Sequence, residues 1–174
     1  MKSVLIGVGQ AGGKVVDALS DFDARNGFGA VTGSLAVNSA RSDLQSLPLD
    51  TVLIGGAEVN GHGVGGDNEL GTKVMRDDVQ EVLGAIDGRV TARAEAIFVV
   101  AGLGGGTGSG GAPVIASRLS ETYDEPVYGL GILPSDDEGG RPALNAGRSL
   151  RSFADSAEGL VLFDNDAWRQ TGDS

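Results

Sequence analysis

The chain has 174 residues, a formal net charge of −11 and no cysteine. Its length suits one domain with a sizeable core, its acidity argues against nucleic-acid partners and anionic membrane surfaces, and the lack of cysteine excludes disulfides and thiolate metal sites. No apolar run approaches the ~20 residues of a membrane span, so we expect no direct membrane insertion. The chain enters an apolar strand without a signal peptide, which favours a cytoplasmic location.

Apolar and amphipathic segments alternate along the sequence. In chain order we predict strand 4–9, helix 12–24, strand 31–38, helix 39–47, strand 51–54, loop 55–66, helix 68–86, strand 96–101, helix 109–123, strand 127–133, helix 141–153, strand 159–163 and a loose tail at 169–174. This alternation predicts an α/β fold, a doubly wound, Rossmann-like parallel sheet of about six strands with helices on both faces. We expect residues 1–174 to form one nucleotide-binding domain.

Two glycine-rich loops, at 7–13 and 102–111, each follow a strand and lead into a helix. Free backbone amides and the positive end of a helix dipole make such a junction an anion site. In the commonest strand order the ligand crevice lies between the first and fourth strands, which places these loops side by side. We therefore predict a phosphate-binding protein, with a divalent cation to offset its acidity.

The first loop on its own favours a different nucleotide. Gly7, Gly9 and Gly12 match G-x-G-x-x-G, the dinucleotide fingerprint. Asn38 stands where that fingerprint places an acid, and Arg41 beyond it is suited to a 2′-phosphate. An NAD(P)-dependent oxidoreductase domain is therefore an alternative, although it leaves the second glycine loop unexplained.

The second loop, Gly-Gly-Gly-Thr-Gly-Ser-Gly at 104–110, resembles the G-G-G-T-G-S/T-G signature of the tubulin/FtsZ superfamily of GTP-binding cytoskeletal proteins. Further segments resemble the other nucleotide loops of that superfamily in the same order: 9–12, 36–39, 63–68, 134–139 and 164–166. Residues 133–140 and 164–169 look most like the CetZ group of haloarchaeal tubulin-like proteins. The few lysines and the excess of Asp over Glu, which we interpret as a halophile's surface, agree with this resemblance.

The resemblance implies which residues bind GTP or GDP. For the α- and β-phosphates these are Gln10, Ala11, Gly12, Gly13 and Lys14; for the β- and γ-phosphates they are Gly105, Gly106, Thr107 and Gly108. Asn38 belongs to the second loop, Glu138 would hold the ribose and Asn165 would read the guanine edge. Asp67 and Asn68 would lie near Mg²⁺ and the γ-phosphate. Asn38, Asp67, Asn68 and Thr107 also fit plain helix caps.

The family's activity depends on more than one subunit. The resemblance implies GTP-dependent head-to-tail filaments that affect cell shape, with GTP hydrolysed at the subunit interface. The water-activating acid would come from the central helix and C-terminal activation domain of a neighbouring subunit, which follow the nucleotide-binding domain in family members and are absent here. We therefore expect no catalytic residue in this chain, and binding of GTP with very slow hydrolysis. A non-hydrolysing superfamily member is a second alternative.

Overall fold

A computed structural model describes residues 1–90 and 93–169 of the chain. The strands are β1 Ser3–Val8, β2 Val31–Asn38, β3 Asp50–Leu53, β4 Ala96–Gly102, β5 Val127–Leu133 and β6 Gly159–Asp164. The helices are α1 Gly9–Asn26, α2 Arg41–Gln45, α3 Gly56–Val59, α4 Asn68–Asp77, α5 Val79–Val90, α6 Gly106–Thr122, α7 Gly140–Ser156 and α8 Asn165–Arg169, with a 3₁₀ turn at Asp136–Glu138. Of the predicted tail at 169–174, Arg169 is the last residue of α8, and residues 170–174 lie outside the described residues.

The six strands form one parallel sheet in the order β3-β2-β1-β4-β5-β6. At its centre, Val8 of β1 lies between Val37 of β2 and Ala101 of β4. All strands therefore end at the same edge, and the strand order reverses between β1 and β4. This confirms the predicted doubly wound fold and the side-by-side placement of the two glycine loops.

Alternate residues of the central strands build a core on each face of the sheet. Val4, Ile6 and Val8 pack into the larger core, beneath α4, α5, α6 and α7. Leu5 points to the other face, where Val16 of α1 covers it. Helices therefore lie on both faces of the sheet, as predicted. Within the described part of the chain, no helix is both long and apolar enough to span a bilayer.

Both helices that follow the glycine loops begin three residues earlier than the sequence predicts, at Gly9 and Gly106. Glycine lowers helix propensity, but close packing of backbone requires it here. Gly9 has a φ of +78°, and a Cβ on it would lie 2.9 Å from the backbone nitrogen of Gly108. A Cβ on Gly12 would lie 2.2 Å from the carbonyl oxygen of Val100. The glycines thus let α1, α6 and β4 approach one another at the edge of the sheet.

The predicted helix 68–86 is wrong in one respect, because it is two helices that meet at Asp78. Asp78 leaves helical geometry at φ −102° and ψ 13°. Its carboxylate accepts a 2.6 Å hydrogen bond from the backbone N–H of Gly55, so a contact with a distant loop ends α4. The loop at 55–66 also contains the short helix α3, and α8 follows β6 without having been predicted.

Candidate functional site

A cavity of about 490 Å³ opens at the edge of the sheet where β1, β2, β4, β5 and β6 end. Its wall includes both glycine loops and the loop at 62–66. Nine of the twelve residues predicted to bind the nucleotide line this cavity: Gln10, Ala11, Asn38, Gly105, Gly106, Thr107, Gly108, Glu138 and Asn165. Residues from five separate segments of the chain therefore meet at one place.

Three predicted residues of the first loop do not line the cavity. A Cβ on Gly12 would lie 2.2 Å from the carbonyl oxygen of Val100, and a Cβ on Gly13 would lie 2.9 Å from Cδ1 of Leu47. Lys14 is exposed on α1. In this structure the two glycines allow α1 to pack closely, while Gln10 and Ala11 face the cavity.

The hydroxyl groups of Ser39 and Thr107 form a buried 2.7 Å hydrogen bond. Ser39 follows β2 and Thr107 is in the first turn of α6, so this bond joins the second loop to the glycine loop after β4. Thr107 lines the cavity, and its hydroxyl is held by Ser39. Either hydroxyl can be the donor in this bond. The hydroxyl that accepts keeps its own O–H free to donate to another acceptor.

Asn38 is buried and its side chain is used within its own loop. Its Oδ1 accepts from the backbone N–H groups of Ser39 and Ala40 at 2.8 and 3.2 Å. Its Nδ2 donates to Asp43 Oδ2 at 3.1 Å, and Gln10 Nε2 donates to the other oxygen of Asp43 at 3.4 Å. Asp43 therefore orients two residues that line the cavity, and it lines the cavity itself.

Asn145 of α7 ties two loops of the site together from behind. Its Nδ2 donates to the carbonyl oxygens of Gly66 and Gly104 at 2.9 and 3.0 Å. Both glycines line the cavity, whereas Asn145 does not and is 3 % exposed. One amide group with two N–H donors thus fixes the spacing between the loop at 62–66 and the glycine loop after β4.

The loop after β5 is shaped by its own acidic residues. Glu138 Oε1 accepts from the backbone N–H of Ser135 at 2.9 Å, which is half of a capping box. The backbone N–H of Asp136 donates to Asp166 Oδ2 at 2.7 Å. Asp166 is in α8 next to Asn165, so this bond holds the loop that carries Glu138 beside the segment that carries Asn165.

Asp67 and Asn68 lie behind the cavity wall. Asp67 caps α4, since its Oδ1 accepts from the backbone N–H of Leu70 at 3.0 Å. Asn68 Nδ2 donates to Ser109 Oγ at 2.8 Å, and Ser109 Oγ donates to the carbonyl of Gly105. Neither residue lines the cavity; in this structure Asp67 caps α4, and Asn68 supports the glycine loop after β4 through Ser109.

Among the residues whose side chains the structure describes, no lysine or arginine lines the cavity, whereas two carboxylates, Asp43 and Glu138, do. An anion there depends on backbone amides and on the N-termini of α1 and α6, helices of 18 and 17 residues. Among residues 1–90 and 93–169, no cluster of three or more His, Asp or Glu side chains could hold a metal ion unaided. The backbone amides at these two helix N-termini therefore suit an anionic group.

Sequence reasoning did not single out Asp43 or Asn145, and it named Ser39 only as part of a loop. Each acts through a partner that is distant in the sequence or hidden behind the loops. Asp43 carries one local signal, because it lies five residues after Asn38 in a helix first turn. Asn145 has no local signal, since its partners are far away along the chain.

Residues 2–173 match the family model described as Tubulin/FtsZ family, GTPase domain. The chain belongs to this family. It is 64% identical to the tubulin-like protein CetZ2 of Haloferax volcanii and 54% identical to CetZ1 of the same organism, and each match includes the whole chain. These matches cover 48% and 45% of the two relatives. The chain thus spans about half the length of the curated relatives it matches.

Solved structures of relatives have the same fold. The chain matches a GTPγS-bound protofilament of H. volcanii CetZ2 with a TM-score of 0.96, and a GDP-bound monomer of CetZ1 with a TM-score of 0.95 at 54% identity. Both matches cover 100% of this chain, and 52% and 54% of those chains. An FtsZ dimer from M. jannaschii matches with a TM-score of 0.86 at 26% identity, over 99% of this chain and 48% of that one. The predicted family resemblance is thereby confirmed.

Proposed function

We propose that this domain binds GTP and GDP in the cavity at the edge of the sheet. The observation that carries the proposal is the contact between the two glycine loops at Gly9 and Gly108, where two long helices begin at one wall. Helix N-termini with exposed amides bind phosphate. The family model that matches this chain is described as a GTPase domain. Solved structures of relatives include a GTPγS-bound protofilament and a GDP-bound monomer.

The cavity wall suggests a direction for the nucleotide. The phosphates would lie on Gln10, Ala11 and the loop 105–108, where amides are dense. The ribose would lie near Glu138, and the base near Asn165. Glu138 keeps a second carboxylate oxygen for a ribose hydroxyl, because Ser135 binds Oε1. Asn38, with Asp43, would support the phosphate end by holding Gln10 in place.

A magnesium ion is part of this proposal. The described side chains include no cluster that would bind a cation alone, which fits Mg²⁺, since it is commonly held by substrate phosphates with one or two carboxylates. Asp43 and Glu138 are the carboxylates that line the cavity. Asp43 is the better placed of the two, because it lies beside Gln10 at the phosphate end.

We also propose that this domain acts within a longer protein that assembles head to tail and hydrolyses GTP between subunits in the cytoplasm. One relative is described as a protofilament. The exposed apolar side chains of β6 support the proposal that a further segment covers this end of the sheet. Val161 and Phe163 of β6 are 61% and 40% exposed, on the face that they share with Leu130 and Ile132 of β5. The central helix and activation domain implied by the family would bury this apolar face and supply the catalytic acid.

Calorimetric titration of the chain with GTP, GDP, ATP and NADP, at high salt with Mg²⁺, tests the proposed ligand. We expect guanine nucleotides to bind and NADP to fail. Asn165→Ala should narrow the preference for GTP over ATP, whereas Asn26→Ala, at an exposed position at the end of α1, should not. Equal binding of ATP and GTP, or binding of NADP alone, would refute the assignment.

A further inference from the structure

A second cavity, of about 500 Å³, lies between α4, α6 and α7, three of the helices that cover the larger core. It shares no lining residue with the cavity at the strand ends. Ser109 is in its wall, and the hydroxyl of Ser109 donates to the carbonyl of Gly105, which lines the first cavity. This second cavity has no role in the proposed binding of GTP.

The charge in this cavity is opposite to that of the protein. Three arginines line it, Arg76, Arg118 and Arg148, and no carboxylate of the described residues does. The chain as a whole has 24 acidic and 13 basic residues, so this grouping is contrary to its composition. Arg118 has a distant partner in Glu121, at 3.9 Å. Within the described part of the chain, Arg76 and Arg148 form no ion pair.

A buried hydroxyl beside these arginines lacks a partner. Ser149 lines the cavity and is 2% exposed, and its Oγ has no hydrogen-bond partner among the described residues. Leaving a buried polar group unpaired is unfavourable. Thr72, in the opposite wall, uses its hydroxyl on the carbonyl groups of Asn68 and Gly110. Ser149 therefore contributes a buried hydroxyl without a hydrogen-bond partner to this cavity.

We propose that this cavity is a second binding site, for a small molecule that carries a phosphate group. Arginine presents a planar fork of N–H donors that matches phosphate oxygens, and charge-assisted bonds of this kind are the strong ones. The hydroxyl of Ser149 adds a neutral donor. The concave shape and the net charge of −11 favour a small ligand over a nucleic acid or an anionic membrane.

The test uses pyrophosphate as the probe, titrated calorimetrically into the full chain saturated with GDP. The Arg76→Ala/Arg148→Ala variant should lose about tenfold or more in pyrophosphate affinity, because it removes two charge-assisted partners. The matched control is Arg25→Ala/Arg93→Ala, which removes the same charge from two exposed side chains, neither of which lines the cavity. The control should lose less than about twofold, as expected for screened surface charges.

Ser149→Ala provides a readout that a structural role alone would not produce. It removes a hydroxyl that is unpaired in the free protein, so thermal stability should be unchanged or raised while pyrophosphate affinity falls. The proposal is overturned if pyrophosphate shows no saturable binding, if both double variants lose affinity equally, or if Ser149→Ala leaves affinity unchanged. Circular dichroism of each variant establishes that the fold is retained.

Discussion

The hydroxyls of Ser39 and Thr107 lie 2.7 Å apart, although 68 positions separate the two residues. The bond crosses the point where the strand order reverses, since Ser39 follows β2 and Thr107 follows β4. Both residues are buried. The loop that resembles the family's signature is thus held in place by a residue of the second loop, before any ligand contributes.

Thr107→Val should destabilise the domain by about 1–3 kcal/mol, because it leaves the buried hydroxyl of Ser39 unpaired. Urea unfolding of Thr107→Val, Ser39→Ala and the double variant measures this. The double variant should be more stable than the sum of the single effects predicts, with a coupling of about 1 kcal/mol. Strictly additive effects would show that the hydrogen bond contributes nothing.

Gly105→Val should weaken GTP binding by about tenfold or more with little change in stability. Gly105 has extended geometry, at φ −82° and ψ 170°, and a Cβ on it meets no atom within 4 Å. The valine side chain would occupy phosphate space, where each charge-assisted hydrogen bond contributes about 1.5–3 kcal/mol. Titration with GTP and thermal melting give the two readouts. Gly147→Val, also in open space but on α7, is the control that should bind normally.

The neighbouring glycine is a poor choice for that experiment, although the sequence alone would favour either position. A Cβ on Gly106 would lie 2.6 Å from Val64 Cγ2 and 2.7 Å from the backbone nitrogen of Asp67. Gly106→Val should therefore cost about 1–3 kcal/mol of stability through overpacking. A melting temperature equal to that of the unmodified chain would contradict this.

Asn145→Asp should destabilise the fold by more than about 2 kcal/mol and weaken nucleotide binding. The variant has nearly the same shape, but it sets a carboxylate against the carbonyl oxygens of Gly66 and Gly104, where an amide now donates. Asn26→Asp makes the same chemical change at an exposed amide that donates to Phe22, and it should cost less than about 1 kcal/mol. Similar losses in the two variants would show that Asn145 has no special role in joining the loops.

Stability should rise with salt. The chain has a net charge of −11, and carboxylate repulsion opposes folding until it is screened. Between about 0.1 M and about 1 M KCl the Debye length falls from about 10 Å to about 3 Å, so the urea midpoint should increase across this range. A midpoint that stays constant or falls would argue against a surface adapted to high salt.

The central strands β1 and β4 could be predicted well because each is a nearly continuous apolar run that is buried on both faces. The predictions for β2 and β5, at 31–38 and 127–133, agree with the structure at both ends. Helix ends were less predictable. The starts of α1 and α6 lie within glycine runs that only close backbone packing makes helical, and Asp78 ends α4 through a contact with Gly55.

The candidate site shows the same division. Nine of the predicted residues line the cavity because motifs mark loops, and the sheet brings those loops together. A motif does not show which glycines face a ligand and which pack against the protein. Only the structure shows that Gly12 and Gly13 pack against neighbouring residues, whereas Gly105 faces open space. Supporting residues such as Asn145 contact two loops that are remote in the sequence, and no local pattern marks them.

The placement of β1 at the middle of the sheet has a kinetic consequence. Its pairing with β2 joins segments close in sequence, but its pairing with β4 joins Ser3 to Ala96, and closing so long a loop makes that step slow. Gly9 meets Gly108 only after this step. During refolding, the circular dichroism signal of the helices should therefore return before the chain regains affinity for nucleotide. The nucleotide should bind only molecules in which the sheet is fully assembled.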